Sequence, residues 1–244
     1  MAKRESAVAP GTLVNRMITD IHAGEIVDAD SKLPTEPELM TRYGVTRYTL
    51  RQALAQLSTL GYIYQAHGIG TFGRPRHDDN VISVQHSVGL TAELERQGKK
   101  ITTVKYAINK VTAADAVFMP SGSKIDPTEP LWEIQRYRAL DGKPYMFEHS
   151  YYLSEIVGDV PVSAIMGSLF RFVADNGKLK LGFQDKVMEA TALKEEQQWF
   201  FDLPVGSPML RMDDDSYLSS GQLFAFSQLS YDYRMGRFFL FNKL

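Results

Sequence analysis

Arg136 and Arg138 stand two residues apart in the segment PLWEIQRYRALDGKPYMFEHSYYL, and Glu148 follows beyond an Asp141-Gly142 pair. An Asp-Gly pair between two alternating runs predicts a hairpin, and the i, i+2 spacing then puts both guanidinium groups on one face with Glu148 on the partner strand. Two guanidinium groups on one face suit a phosphate or a carboxylate, and a neighbouring carboxylate accepts hydrogen bonds from ligand hydroxyls. The same residues equally make a cross-strand ion pair of Glu148 with either arginine, and spacing leaves both readings open. A second group, Thr46, Arg47, Thr49 and Arg51, crowds hydroxyls and cations into a turn and a half. At a helix start such hydroxyls and free amides bind phosphate, and arginine donates two hydrogen bonds to a guanine edge. On an arbitrary helix the same arginines would simply be solvated.

The elements around that second group decide between its readings. Leu13, Val14, Met17, Ile18 and Ile21 recur at helical spacing before Gly24, which predicts a first helix over residues 11–24. Thr35 with Glu38 three positions on forms a capping box for a second helix ending at Arg42-Tyr43-Gly44. Thr46 caps a third, whose buried stripe is Leu50, Ala53, Leu54, Leu57 and Leu60 and whose end is Gly61. Only Gly44 and Val45 separate the second and third helices, so they must cross, as in a helix-turn-helix. YIYQAHGIGTFG then reads as a strand, a glycine turn and a returning strand. Three helices followed by a small hairpin is the order of a winged helix, whose third helix enters the major groove by its N-terminal end. At the hairpin tip, Gly68 and Gly70 let backbone approach the sugar-phosphate edge while His67 reaches a phosphate or the minor groove; alternatively these residues only make the turn.

With 244 residues and 44% hydrophobic content, the chain can bury two cores. It has no cysteine, which excludes disulfides and thiolate metal sites, and no apolar run long enough for a signal peptide or membrane span, so a cytoplasmic location is expected. Net charge is −2, yet residues 1–76 hold nine Lys/Arg against seven Asp/Glu, leaving the acidic excess to the remainder. The polar, proline-bearing run Arg74–Asn80 is the best boundary. It divides the chain into residues 1–75, a linker at 76–84, and a second domain at 85–244. In that second domain KITTVKYAINKV predicts a strand, GSLFRFVADNG and ATALKEEQQWFFDL predict helices, and PMLRMDDDSYLSSGQLFAFSQLSYDY predicts another hairpin with Asp213-Asp214-Asp215 as a solvated turn start. Strands joined by hairpins and interrupted by helices indicate an α+β domain on an antiparallel sheet. No nucleophile elbow, zinc-protease motif or phosphate loop is present, and His77, His86 and His149 lack ligand spacing; no catalytic residue, metal or cofactor is expected.

Across about forty positions, LPTEPELMTRYGVTRYTLRQALAQLSTLGYIYQAHGIGTF resembles the DNA-binding domain of the GntR family of bacterial transcription regulators. The resemblance implies that Thr35 and Glu36 open the second helix near DNA, that Thr46, Arg47, Thr49 and Arg51 make the main contacts, and that Gly70 sits at the wing tip. Pro37 stands where many members carry a base-contacting arginine, so operator preference should differ. GLTAELERQGKK, the arginine hairpin, GSLFRFVADNG and DLPVGSPMLRM resemble landmarks of the UTRA effector domain over most of residues 80–235. That pairing marks the HutC subfamily, whose second domain is similar in fold to chorismate lyase.

By that resemblance an anionic effector is held by Thr91, Arg136, Arg138 and Ser168, with Glu148 on its hydroxyls. Phe170 replaces a tyrosine, Ala225 stands where a second acidic or polar residue is frequent, and Gly236 replaces an aspartate. With these changes an anionic ligand with a less polar body fits as well as an amino-sugar phosphate. The expectation is a homodimeric transcription regulator, a repressor, on a palindromic DNA operator, controlled by a sugar phosphate or organic acid and dimerised through its effector domains. Two competing classes are a chorismate-lyase-like enzyme and a regulator whose second half only dimerises it.

Overall fold

A computed structural model of the protein describes residues 10–74, 81–84 and 89–242. The chain separates into two compact units, Met1–Gln85 with Phe239–Leu244, and His86–Phe238.

The first unit carries α1 (Pro10–His22), α2 (Glu36–Tyr43), α3 (Arg47–Thr59), β1 (Ile63–Ala66) and β2 (Gly70–Gly73). At the start of α2 the Thr35 N–H donates to Glu38 Oε2 at 2.8 Å. Gly44 ends that helix at φ 64°, its N–H bonding the Met40 carbonyl. Two residues later the Thr46 hydroxyl accepts from the Thr49 N–H at 3.2 Å and opens α3. Leu13, Met17 and Ile18 of α1, Leu39 and Tyr43 of α2, and Leu50, Leu54 and Leu57 of α3 meet Ile63 in one buried core. Each aliphatic side chain so buried contributes about 1.5–3 kcal/mol. β1 and β2 pair antiparallel from Ile63↔Gly73 to Ala66↔Gly70. The preceding loop joins them: Leu33 N–H donates to the Thr71 carbonyl at 2.8 Å and Gly73 N–H to that of Ser31 at 2.7 Å.

Two expectations about boundaries meet a different arrangement. Residues 76–80 of the expected linker lie outside the described residues, while 82–83 form β3 (Ile82–Ser83), paired with β10 (Phe238–Phe239). The chain from Phe239 onward, expected to belong to the second domain, groups with the first unit. Its Phe241 lies on Gly61, where an added Cβ would stand 2.6 Å from the ring. Arg74 lies over that ring at 4.5 Å and donates to the Gly61 carbonyl at 3.2 Å.

The second unit is built on an antiparallel sheet of β4 (Ile101–Thr112), β5 (Pro130–Leu140), β6 (Lys143–Leu153), β7 (Leu181–Ala192), β8 (Pro208–Leu218) and β9 (Leu223–Asp232). Their spatial order is β4-β5-β6-β9-β8-β7. Asp141 and Gly142, at φ 49° and 80°, make the expected two-residue turn between β5 and β6. Around the sheet run α4 (Gly89–Arg96), α5 (Ser154–Val157), α6 (Val162–Met166), α7 (Leu169–Asp175) and α8 (Glu195–Phe201). Helices α5 to α7 cover one face, packing Val157, Ile165, Leu169 and Val173 against Ile134, Tyr152 and Ala225. α8 lies on the other, its Phe200 and Phe201 against Phe147 and Met209. This is the α+β arrangement on an antiparallel sheet that the strand and hairpin pattern predicts.

Two readings are corrected. The helix expected from ATALKEEQQWFFDL is only α8; its first residues end β7, an edge strand exposed on both faces that offers no alternation to read. The acidic run Asp213–Asp215 is no solvated turn start but mid-strand in β8, with Asp214 and Asp215 only 5% and 7% exposed. Lys186 reaches Asp214 at 2.6 Å and the Gly122 N–H reaches Asp215 at 3.0 Å, so partners on the sheet and a neighbouring loop replace the water a composition-based reading assumes. Among the described residues, no helix is long and apolar enough to cross a membrane.

Candidate functional site

In the first unit the starts of α2 and α3 come together. Glu36, first residue of α2, faces the start of α3 and pairs with Arg51 Nε at 3.0 Å and with Arg47 Nε at 3.7 Å. Both arginine side chains stay about two-thirds exposed, 61% and 65%, so the pairing orients them without burying them. Thr46 and Thr49 share a hydroxyl contact of 3.0 Å at the same helix start. Thr35 and Pro37 lie exposed at the first turn of α2. Tyr48 and Gln52 were not singled out by sequence, yet Tyr48 is 72% exposed and its hydroxyl accepts from Gln52 at 2.8 Å on the same stretch of α3. An aromatic off the apolar stripe of α3 and one residue from Arg47 was the available signal. His67 and Gly68 form the exposed tip between β1 and β2, Gly68 at φ 74°. Gly70 is held at φ 149° directly over the Lys32 side chain, where an added Cβ would meet Lys32 Cε at 2.7 Å.

In the second unit, register places Arg136 directly opposite Glu148 and Arg138 opposite Met146. Arg136 Nε and Nη2 both bond Glu148, at 3.1 and 2.6 Å to Oε2, and its Nη1 donates to the Ile165 and Gly167 carbonyls at 3.1 and 3.3 Å. The cross-strand ion pair is therefore present, and both partners are buried. Burial opposes the Glu148 charge, but Arg136, Arg138 and hydrogen bonds from Arg136 and Ser150 outweigh it and hold the carboxyl below its ordinary range.

Arg138 is in a different position. It is 2% exposed, donates to Thr91 Oγ1 at 3.0 Å and to the Gly167 carbonyl at 3.2 Å, and leaves a buried Nε with no partner. Among the described residues no carboxylate lies within ion-pair distance of it. Burial and the like charge of Arg136 push its guanidinium down to about 10. One carboxylate thus serves two buried cations and bonds only Arg136 directly, which leaves Arg138 able to receive an anion. The structure thus brings together Thr91, Arg136, Arg138 and Glu148. Ser168 caps α7, accepting from the Arg171 N–H at 3.1 Å, beside the Gly167 carbonyl that both arginines share. Phe170 packs on Phe224 and over Gly89 as an apolar wall. A shallow surface depression lined by Ser163, Gly167, Ser168 and Arg171 lies beside this loop, and none of Thr91, Arg136, Arg138 and Glu148 lines it. His149 sits on the opposite sheet face against Glu133 at 2.8 Å; His77 and His86 lie outside the described residues.

Comparison with known proteins gives two family matches: the family described as "Bacterial regulatory proteins, gntR family" over residues 11–72, and "UTRA domain" over residues 96–234. The chain is similar to YydK of Bacillus subtilis strain 168, an uncharacterised HTH-type transcriptional regulator, with 28% identity covering 85% of this chain and 86% of that protein. The crystal structure of YydK superposes with a TM-score of 0.75 at 26% identity, covering 97% of this chain and 100% of that one. It is also similar to MngR of Escherichia coli K12, the mannosyl-D-glycerate transport/metabolism system repressor, at 25% identity over 90% of each chain. A further relative is the HTH-type transcriptional repressor NagR of Bacillus subtilis strain 168, at 23% identity over 90% of this chain and 88% of that protein.

Proposed function

Because the chain belongs to the GntR-type transcription regulators that carry a UTRA effector domain, we propose that it is a repressor whose operator affinity is set by an anionic ligand held at Arg138. The observation that carries this reading is the asymmetry of the arginine pair: Glu148 bonds Arg136 directly, whereas Arg138 is buried with an unpartnered Nε and, among the described residues, no carboxylate in ion-pair contact. A phosphate or carboxylate at Arg138 supplies that contact, with Thr91 as a second donor and the N-terminal turn of α7 at Ser168 beside it. In the absence of an anion the Gly167 carbonyl takes donors from both guanidinium groups; a bound anion competes for them and shifts the α6–α7 loop. The repressor names of MngR and NagR, and the sugar-derived acid in the first, support both the direction of control and a carbohydrate-derived anion.

At the DNA, α3 enters a major groove of a palindromic operator in the cytoplasm. Arg47 and Arg51 reach base edges; Thr35, Thr46 and Thr49 bind phosphate; the wing tip at His67, Gly68 and Gly70 follows the flanking backbone. Glu36 orients the two arginines. Two copies joined through their effector domains match the two half-sites, and ligand binding favours a spacing that no longer fits them. Operator-shift titration of Arg47→Ala and Arg51→Ala tests the groove assignment. Each loses about tenfold or more in affinity if a bidentate base contact is removed, and unimpaired binding by both sinks the assignment.

A further inference from the structure

Side chains alternate along β5 and β6, so Gln135, Tyr137, Phe147 and His149 face away from Arg136, Arg138 and Glu148. On their side of the sheet lies a cavity of about 530 Å³, within the usual size range of a small-molecule site. Its floor is the sheet. Gln135, His149 and Gln228 stand opposite one another in one row across β5, β6 and β9, and Tyr137, Phe147 and Ser230 in the next. One wall is the start of α8, with Gln197; the other is the loop between β4 and β5, whose Phe118 packs edge-on to His149 at 5.2 Å. Floor and walls all belong to the second unit.

Gln197 is only 5% exposed, yet its side-chain amide makes no hydrogen bond with any described residue. Gln228 is half-buried and likewise lacks a side-chain partner among the described residues. Buried polar groups are normally hydrogen-bonded, so a nine-tenths buried amide without a partner marks where one enters. His149 adds an acceptor. Its Nε2 lies 2.8 Å from Glu133 Oε1. Burial opposes the Glu133 charge, but bonds from Asn109, His149 and Tyr151 hold that carboxyl below its ordinary range. Burial also lowers the His149 imidazole, despite Glu133. A neutral ring donating to a carboxylate from Nε2 carries its lone pair on Nδ1. The charged side chains at the cavity, Glu133, Glu196, Lys194 and Arg211, balance, and Arg211 is already in ion-pair contact with Asp213 at 2.9 Å and with Glu189. A ligand of net charge gains nothing from such a lining, whereas hydroxyls, which both donate and accept, suit amides and an imidazole.

Tyr137 and Phe147, with ring centroids 4.7 Å apart, add apolar surface for the C–H face of a sugar ring. We propose that this cavity is a second ligand site, taking an unphosphorylated sugar whose hydroxyls bond Gln197, Gln228 and His149 Nδ1. It backs onto the arginine pair across the sheet, so the two sites are separate.

Saturation-transfer NMR titration of the full chain with glucose and with maltose, up to millimolar concentration, tests this. Wild-type protein binds at least one of the two, and its affinity falls about 3- to 10-fold in Gln197→Met and in Gln228→Met, the loss of one neutral hydrogen bond each. Neither amide has a partner in the fold, so both variants keep the wild-type thermal midpoint. Saturating inorganic phosphate and Arg138→Ala leave sugar binding unchanged. Binding of neither sugar by the wild type, or undiminished affinity in both glutamine variants, overturns the proposal. A lowered midpoint in both variants means that the amides serve the fold, and overturns it too. Displacement of the sugar by phosphate, or its loss in Arg138→Ala, puts the sugar on the arginine face and has the same consequence.

Discussion

Arg136 and Glu148 face each other across β5 and β6, joined through two guanidinium nitrogens, and neither is more than 5% exposed. Arg138, two residues along the same face, shares the field of that carboxylate but makes no ion-pair contact with it. Removing the carboxylate leaves two buried cations side by side. Glu148→Ala therefore destabilises the protein by about 3–5 kcal/mol. Chemical denaturation measures it, and a loss below about 1 kcal/mol means the pair is not desolvated as described.

Acid should act through the same carboxylate. Its pKa in the folded protein is lowered from an ordinary value of 4.5, so the stability it contributes is fully present above pH 4.5 and is lost as pH falls through the lower folded value. Asp214 has the opposite sign: its raised pKa means that folded protein gains relative stability as Asp214 is protonated. Thermal midpoints across the acid range should fall less steeply in Glu148→Gln than in the wild type and more steeply in Asp214→Asn. Parallel curves for all three contradict these assignments.

Gly61 and Phe241 are in contact although 180 residues separate them in sequence. Gly61 sits at φ 76° with the Phe241 ring where a Cβ would be, so Gly61→Ala is strained twice over. It should cost more than Phe241→Ala, which removes an aromatic partner of Arg74 and strains no backbone. Differential denaturation of the two variants checks this. Equal stability of Gly61→Ala and wild type would show that the C-terminal segment does not rest on the first unit.

Much of this was legible in the sequence wherever one local rule governed one element. Thr35, Gly44 and Thr46 fixed the ends of α2 and α3 through capping chemistry, and Asp141-Gly142 fixed the turn between β5 and β6, but the register shift between Arg138 and Ala139 that sets Arg136 against Glu148 carried no local signal. What stayed hidden depended on partners distant in the chain. Asp214 looked solvated because composition says nothing of Lys186, 28 residues away. β7 lacked alternation because both its faces are exposed. The attachment of residues 31–33 to β2 rests on two backbone bonds that no side-chain pattern signals. Spacing showed that Arg136 and Arg138 share a face, but not which of them the carboxylate would neutralise.

The central claim, that an anion at Arg138 controls DNA binding, is tested most directly by operator affinity measured with and without a phosphorylated sugar, for wild type and Arg138→Ala. Wild-type affinity should fall between about 5- and 150-fold on adding the ligand, the usual range of coupling between two sites. The ratio should collapse towards one in Arg138→Ala. A variant that responds to the ligand as strongly as the wild type would contradict the account.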